Sequence, residues 1–293
     1  MADQAERLRE LVRQKQQVVT EDTSKCKIIT VTSGKGGVGK TNLASNLAIS
    51  FSMLGQRVLI MDADLGLSNV NIITGLIPPP RYNLSHVISG EKDILEVIAH
   101  GPCGIKVITG AVGVTKVANM GTKKRNEFIE SLDSLLPLFD LIFIDTSAGL
   151  SDNVLSFVMS ADEVILVTTP EPTAITDAYG MIKAIAAKNE DIKVGLVVNR
   201  IQNIIEGKKV SDKIVNIANQ FLGLKIERLG YIMEDALVRK AVSEQAPFFI
   251  TYPNSKAASC ISHIRNKLAE IPEENHSDKG GGFFSRLFQG FQS

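Results

Sequence analysis

Lys27-Ile-Ile-Thr-Val-Thr-Ser-Gly-Lys-Gly-Gly-Val-Gly-Lys-Thr41 is the stretch on which the fold turns. Ile28 to Val31 is an apolar, β-branched run that reads as a buried strand. Gly34 to Gly39 is a glycine-rich turn. After Lys40 and Thr41, a helical pattern begins with apolar Leu43, Ala44, Leu47, Ala48 and Phe51. Strand, loop and helix in this order satisfy G-x-x-x-x-G-K-[ST] without a mismatch. Glycines let the backbone curl until several N–H groups converge on one anion. The helix that follows adds its positive dipole end. The expected cradle is Gly34, Gly36, Gly37, Val38, Gly39, Lys40, Thr41 and Asn42. Lys40 should reach the β- and γ-phosphates, and the Thr41 hydroxyl should ligate Mg2+. Lys35, five positions before Lys40, cannot easily reach phosphates that its own loop wraps. It could reach a nucleotide held by another copy of the chain.

Outward from this stretch, apolar runs alternate with helical ones. Strands are expected at Val58 to Met61, Ile105 to Ile108, Leu141 to Ile144, Val164 to Thr168 and Val194 to Val198, with a shorter one at Ile226 to Tyr231. Helices are expected around 123–136, 175–188, 208–221 and 255–270. Such alternation implies an α/β fold: a mostly parallel β-sheet with helices on both faces. The nucleotide then belongs at the carboxyl ends of the strands.

Length and composition bound the rest. The 293 residues suit one large α/β domain with extensions, and 44% hydrophobic content supports a substantial core. Basic and acidic residues number 32 each, so no global charge points to nucleic acid, and none is expected as a partner. Cys26, Cys103 and Cys260 are far apart and the four histidines are scattered, which implies neither a disulfide framework nor a cysteine metal site. A reducing cytoplasm fits that usage. No run approaches the roughly 20 apolar residues of a membrane span.

Two strand ends carry aspartates. Leu59-Ile-Met-Asp62-Ala-Asp64 and Leu141-Ile-Phe-Ile-Asp145 both close an apolar run with a carboxylate, as a Mg-nucleotide site requires. Asp145 is the natural holder of Mg2+. Of Asp62 and Asp64, one should support the metal shell and the other accept a hydrogen bond from attacking water. For the base, Asn199 and Arg200 follow a strand, and an asparagine amide can pair with adenine. No Asn-Lys-x-Asp signature favours guanine, so ATP and ADP are the expected nucleotides.

Lys35-Gly-Gly-Val-Gly-Lys-Thr41 resembles the deviant Walker A motif of the MinD/ParA ATPases, and the resemblance covers roughly residues 25–270. It implies an ATPase in which Lys35 crosses a homodimer interface to the partner's phosphates. Asp62-Ala-Asp64-Leu-Gly-Leu-Ser-Asn69 resembles switch I of that family, which assigns water positioning to Asp64 and leaves Asp62 in the metal shell with Thr41 and Asp145. Asp145-Thr-Ser-Ala-Gly149 resembles switch II, with Ser147 in place of the usual proline. Gly230-Tyr-Ile-Met-Glu-Asp235 is similar to a loop whose backbone frames adenine, implicating Ile232 and Met233, although Met233 replaces a proline.

The ends of the chain narrow the resemblance to the FlhG group (also called FleN or YlxH) of flagellar-number regulators. Residues 1–24 form an N-terminal extension in which Ala5, Leu8, Leu11 and Val12 recur at helical spacing. Asp3-Gln4-Ala5-Glu6-Arg7-Leu8-Arg9 resembles the element with which that group stimulates the FlhF GTPase, so Asp3, Gln4, Ala5, Leu8 and Arg9 are its candidate contacts. Phe249-Ile-Thr-Tyr252-Pro-Asn-Ser255 resembles another stretch of that group. After an ATPase domain over 25–271, residues 272–293 form a flexible linker and an amphipathic helix. Phe283, Phe284, Leu287, Phe288 and Phe291 share one face of that helix and are candidates to bind membrane lipids. The alternative use of the same apolar face is to pack in the protein's own groove. Flagellar basal-body components are further expected partners. The competing reading is a MinD/ParA-type ATPase of division-site placement or DNA segregation.

Overall fold

A computed structural model describes residues 26–64, 69–110, 117, 121–188, 192–270, 284 and 287. The N-terminal helix expected before residue 20, switch I residues 65–68, the linker at 272–282, and Phe283, Phe288 and Phe291 lie outside the described residues.

In chain order the elements are β1 (Lys27–Thr32), α1 (Lys40–Ser52), β2 (Val58–Ala63), α2 (Val70–Ile73), α3 (Leu84–Ser89), β3 (Ala99–His100), β4 (Lys106–Ile108) and α4 (Thr122–Asp133). There follow β5 (Leu141–Thr146), α5 (Asp152–Ser160), β6 (Glu163–Thr168), α6 (Pro172–Ala186), β7 (Val194–Ile201) and α7 (Ile204–Leu222). The last are β8 (Ile226–Met233), α8 (Ala236–Ser243), α9 (Phe248–Thr251) and α10 (Lys256–Glu270). The strands make one sheet in the order β3-β4-β2-β5-β1-β6-β7-β8. All neighbours are parallel except the short β3, which runs antiparallel to β4.

Every residue of β5 and β6 is buried. A parallel sheet covered on both faces requires this, and it explains why these strands read as continuous apolar runs instead of alternating ones. On one face, Leu43, Leu47 and Phe51 of α1 join Ile261, Ile264 and Leu268 of α10. The other face is covered by Phe128 and Leu132 of α4 around β2 and β5, and by α5, α6 and α7 around β6 and β7.

Several helices depart from the sequence expectation. α7 starts at Ile204, earlier than expected, because the Asn203 side chain caps it by accepting from the Glu206 N–H at 2.9 Å. α2, α3, α5, α8 and α9 were not anticipated: each is short, so little apolar periodicity marks it.

Candidate functional site

The cradle is built where β1 ends and α1 begins. Gly37 and Gly39 take φ of +75° and +96°, a left-handed backbone that glycine reaches without penalty. A side chain at Gly39 would also collide with the Asn199 amide at 2.4 Å. Gly34 is required for a different reason: a Cβ there would lie 2.2 Å from the Asp177 carbonyl oxygen of α6.

The floor of the cradle is crowded with buried ionisable groups. Register places Asp62 of β2 directly beside Asp145 of β5, and Val31 of β1 on its other side. Both carboxylates are almost fully buried, as is Lys40. Thr41 Oγ1 donates to Asp145 Oδ2 at 2.6 Å, and the Asp64 N–H donates to Asp62 Oδ1 at 3.0 Å. Burial pushes the Asp145 carboxyl up to about 7; the Thr41 hydrogen bond opposes the rise, the Asp62 charge adds to it, and Lys40 opposes it. Burial holds the Lys40 ammonium below its usual range, with Asp145 and Asp64 pulling the other way.

Asp145 Oδ1 is buried and has no hydrogen-bond partner. An orphaned carboxylate oxygen beside a threonine hydroxyl fits a small hard cation. Among the described residues no cluster of three or more His, Cys, Asp or Glu could cage a metal by itself. Mg2+ commonly takes one or two protein ligands and completes its shell with water and phosphate oxygens. Thr41 and Asp145, with Asp62 behind them, suit that mode.

Lys35 behaves differently from Lys40. It sits at the rim of the cradle, partly exposed, and its ammonium is held by Glu171 Oε2 at 2.8 Å and Thr173 Oγ1 at 2.7 Å. That partnership holds the Glu171 carboxyl below its ordinary range. Switch II is tied to the same rim: the Gly149 N–H donates to the Ser33 carbonyl at 2.9 Å, and Ser33 Oγ donates to the Lys35 carbonyl at 2.7 Å.

Beside the cradle opens a cavity of about 740 Å3, within the range of small-molecule pockets. Gly39, Asn42, Asn199, Arg200, Ile232 and Met233 all line it. Asn199 is committed to its own chain, donating to the Val38 carbonyl at 2.7 Å and accepting from the Arg200 N–H at 2.9 Å. It thus fixes the loop as well as facing the cavity. The sequence reading missed the apolar wall, made by Val238 and Val242 of α8 and by Phe248. The i, i+4 spacing of the two valines was the available signal. The Phe249–Ser255 stretch has a structural account. The Phe249 N–H donates to Asn46 Oδ1 of α1 at 2.9 Å, and Ser255 Oγ accepts from the Ala258 N–H at 3.1 Å, so the stretch docks α10 on the cradle helix.

The C-terminal tail is partly visible. Phe284 and Leu287 are 0% and 2% exposed, packed in a groove with Leu84, Phe128, Leu132 and Phe157. Met61, Asp62, Ala63 and Ile144 form the groove's edge, and only about 20 Å3 of space remains in it. Among the described residues no helix is long and apolar enough to cross a membrane.

A glycine cradle at the carboxyl end of a parallel sheet, with aspartates closing the two strands beside it, defines a P-loop nucleotide hydrolase. A family profile described as an AAA domain matches residues 26–198. The antiactivator FleN of Pseudomonas aeruginosa is 36% identical over 84% of this chain and 87% of its own length. The flagellum site-determining protein YlxH of Helicobacter pylori is 33% identical over 99% of both chains. The cell division ATPase MinD of Pyrococcus furiosus superposes with a TM-score of 0.68 at 27% identity, covering 84% of this chain and 99% of that one. MinD of Pyrococcus horikoshii, solved with Mg-ADP, gives 0.67 at 25% identity over 84% and 97%. The chain belongs to the MinD/ParA family of P-loop ATPases, with FleN and YlxH among its relatives.

Proposed function

We propose that this ATPase is a dimerising, membrane-associating switch that regulates the number and placement of bacterial flagella. The observation that carries the reading is the seat of the tail: Phe284 and Leu287 line one groove with Met61, Asp62 and Ala63, the strand end that also furnishes the catalytic floor. A change at β2 on nucleotide binding reaches the tail groove without any intermediary. YlxH, named for flagellum site determination and matched over nearly all of both chains, favours the flagellar role over division or DNA segregation.

In this reading ATP lies with its base in the cavity beside Asn199, Arg200, Ile232 and Met233 and its phosphates on residues 34–42. Lys40 neutralises the β- and γ-oxygens from below. Thr41 and Asp145 would hold Mg2+, which when bound would neutralise phosphate charge. Asp62 positions that pair. Asp64 accepts a hydrogen bond from the attacking water, whose oxygen bonds to the γ-phosphorus as the bond to ADP breaks. Lys35 leaves Glu171 and Thr173 and reaches the partner's phosphates. Two chains then enclose two nucleotides, and hydrolysis to ADP and phosphate lets them part.

The paired tails leave their grooves and lie in the membrane surface. One short amphipathic helix binds reversibly, whereas two on a single particle gain by avidity. The protein is therefore cytoplasmic with ADP and peripherally membrane-bound with ATP. Residues 3–9 act on FlhF, and basal-body components are the downstream partners. Vesicle sedimentation tests the switch. Full-length protein should pellet with anionic vesicles in ATP and stay soluble in ADP, and a variant lacking residues 280–293 should stay soluble in both. Equal pelleting in both nucleotides would overturn the proposal.

A further inference from the structure

β7 and β8 pair Val198 with Tyr231 and next Ile201 with Met233. Two residues of β7, Asn199 and Arg200, thus stand against one of β8, a bulge placed where the strand meets the nucleotide cavity. Within it Arg200 takes a φ of +58°, a left-handed backbone uncommon for a residue with a side chain. Bulges and such outliers gather at functional sites, where a side chain has to be re-aimed.

The side chain re-aimed here is that of Asn199. Its Oδ1 accepts from the Arg200 N–H at 2.9 Å, which holds the bulge, and its Nδ2 donates to the Val38 carbonyl at 2.7 Å. The second bond ties the end of β7 to the phosphate loop, 161 residues away in sequence. Gly39 completes the joint. Its φ is +96°, and the amide lies so near that a Cβ would meet Nδ2 at 2.4 Å.

A trans peptide sets its C=O and N–H in opposite directions. The Val38 carbonyl is drawn to Asn199, so the Gly39 N–H points away from Asn199. In a glycine-rich loop the N–H groups converge on the anion. A flipped peptide would offer a carbonyl oxygen there, which repels phosphate. Glycine at 39 leaves that rotation weakly determined by the local chain, so something else has to set it.

We propose that Asn199 is a positioning residue for the phosphates: it holds the Val38–Gly39 peptide with its N–H on the phosphate side before any base arrives. The role rests on the reading that residues 34–42 cradle phosphate. It differs from reading adenine, and a ligand without a base tells the two apart.

Mg-tripolyphosphate has the phosphates and no base. Titrated by calorimetry into the full-length protein, it should bind Asn199→Ala about tenfold more weakly than wild type, the effect of roughly one hydrogen bond. Asn199→Asp keeps the acceptor for the Arg200 N–H and loses the donor to Val38. It should lose at least as much, measured at high salt to screen its added charge. The titration also separates positioning from misfolding, which lowers the fraction of protein that binds and leaves the affinity of the remainder unchanged. Tripolyphosphate affinity within about twofold of wild type in Asn199→Ala would overturn the role, and an accompanying loss for ADP would make Asn199 a reader of the base. A wild type that binds neither tripolyphosphate nor ADP would remove the nucleotide reading itself.

Discussion

The floor and the rim of the nucleotide cradle come from one loop, yet they obey different physics. At the floor, Lys40, Asp62 and Asp145 are almost fully buried, and Thr41 donates a hydrogen bond to Asp145. At the rim, Lys35 and Glu171 face solvent, with side-chain exposures of 35% and 55%. A buried charge must be matched or it is costly, so the floor tolerates little change. An exposed ion pair contributes little and is easily exchanged for another partner. The floor is therefore suited to chemistry within one chain. The rim is suited to a contact that has to be made and broken. Lys35 is held by Glu171 and Thr173 in the single chain, and in the proposed dimer a partner's triphosphate would offer it more negative charge than one carboxylate does.

This contrast can be broken from either side. The largest effect belongs to the switch I aspartate. Asp64→Ala should lower ATP turnover by about 10²–10⁴-fold, the usual contribution of a positioned acid–base group, while nucleotide affinity stays near wild type and dimers accumulate. Turnover within threefold of wild type would remove Asp64 from the chemistry. Next comes Lys35→Ala. It should bind labelled nucleotide normally by fluorescence titration and fail to dimerise with ATP. Persisting ATP-dependent dimers would reduce this lysine to a rim decoration.

A smaller effect is expected in the tail groove. Leu132→Ala trims the groove without touching the tail and costs the local packing about 2–5 kcal/mol. Part of that loss should appear as vesicle binding in ADP, raised about tenfold. Unchanged binding in ADP would mean that the groove does not restrain the tail. The smallest effect is at Glu171. Glu171→Gln frees Lys35 from its ion pair and should raise the dimer fraction at limiting ATP about two- to fivefold, as expected for an exposed pair. A lowered dimer fraction would place Glu171 on the side of the dimer instead of the monomer.

The floor was legible in the sequence because its chemistry dictates residue types at fixed spacings. Gly34 to Thr41, Asp62 and Asp145 are each set by a charge or a backbone conformation, and each ends a recognisable apolar strand. Asn199 and Arg200 stand out because they follow a strand, and Ile232 and Met233 because their loop resembles one of the family; all four line one cavity. Val238, Val242 and Phe248 were not anticipated, since an apolar cavity wall can be supplied by any helix. The sheet was read correctly as mostly parallel, but the brief antiparallel β3 was missed because two residues carry no periodicity. The home partners of Lys35 were also invisible. Glu171 and Thr173 lie 136 and 138 residues away, and only the packing of Gly34 against α6 brings them close.

The tail shows what sequence leaves open. Its apolar face reads as a membrane anchor, with packing in the protein's own groove as the alternative. The fold answers for Phe284 and Leu287, because α4, α5 and the end of β2 leave a cleft of the right size. Under the proposed switch, the groove and the membrane would compete for the same side chains.

Sedimentation velocity of the full-length protein with Mg2+ and a non-hydrolysable ATP analogue tests the central claim most directly. A species with the mass of two chains, absent with ADP, is the expected result. A single chain in both nucleotides, with the analogue demonstrably bound, would contradict the account.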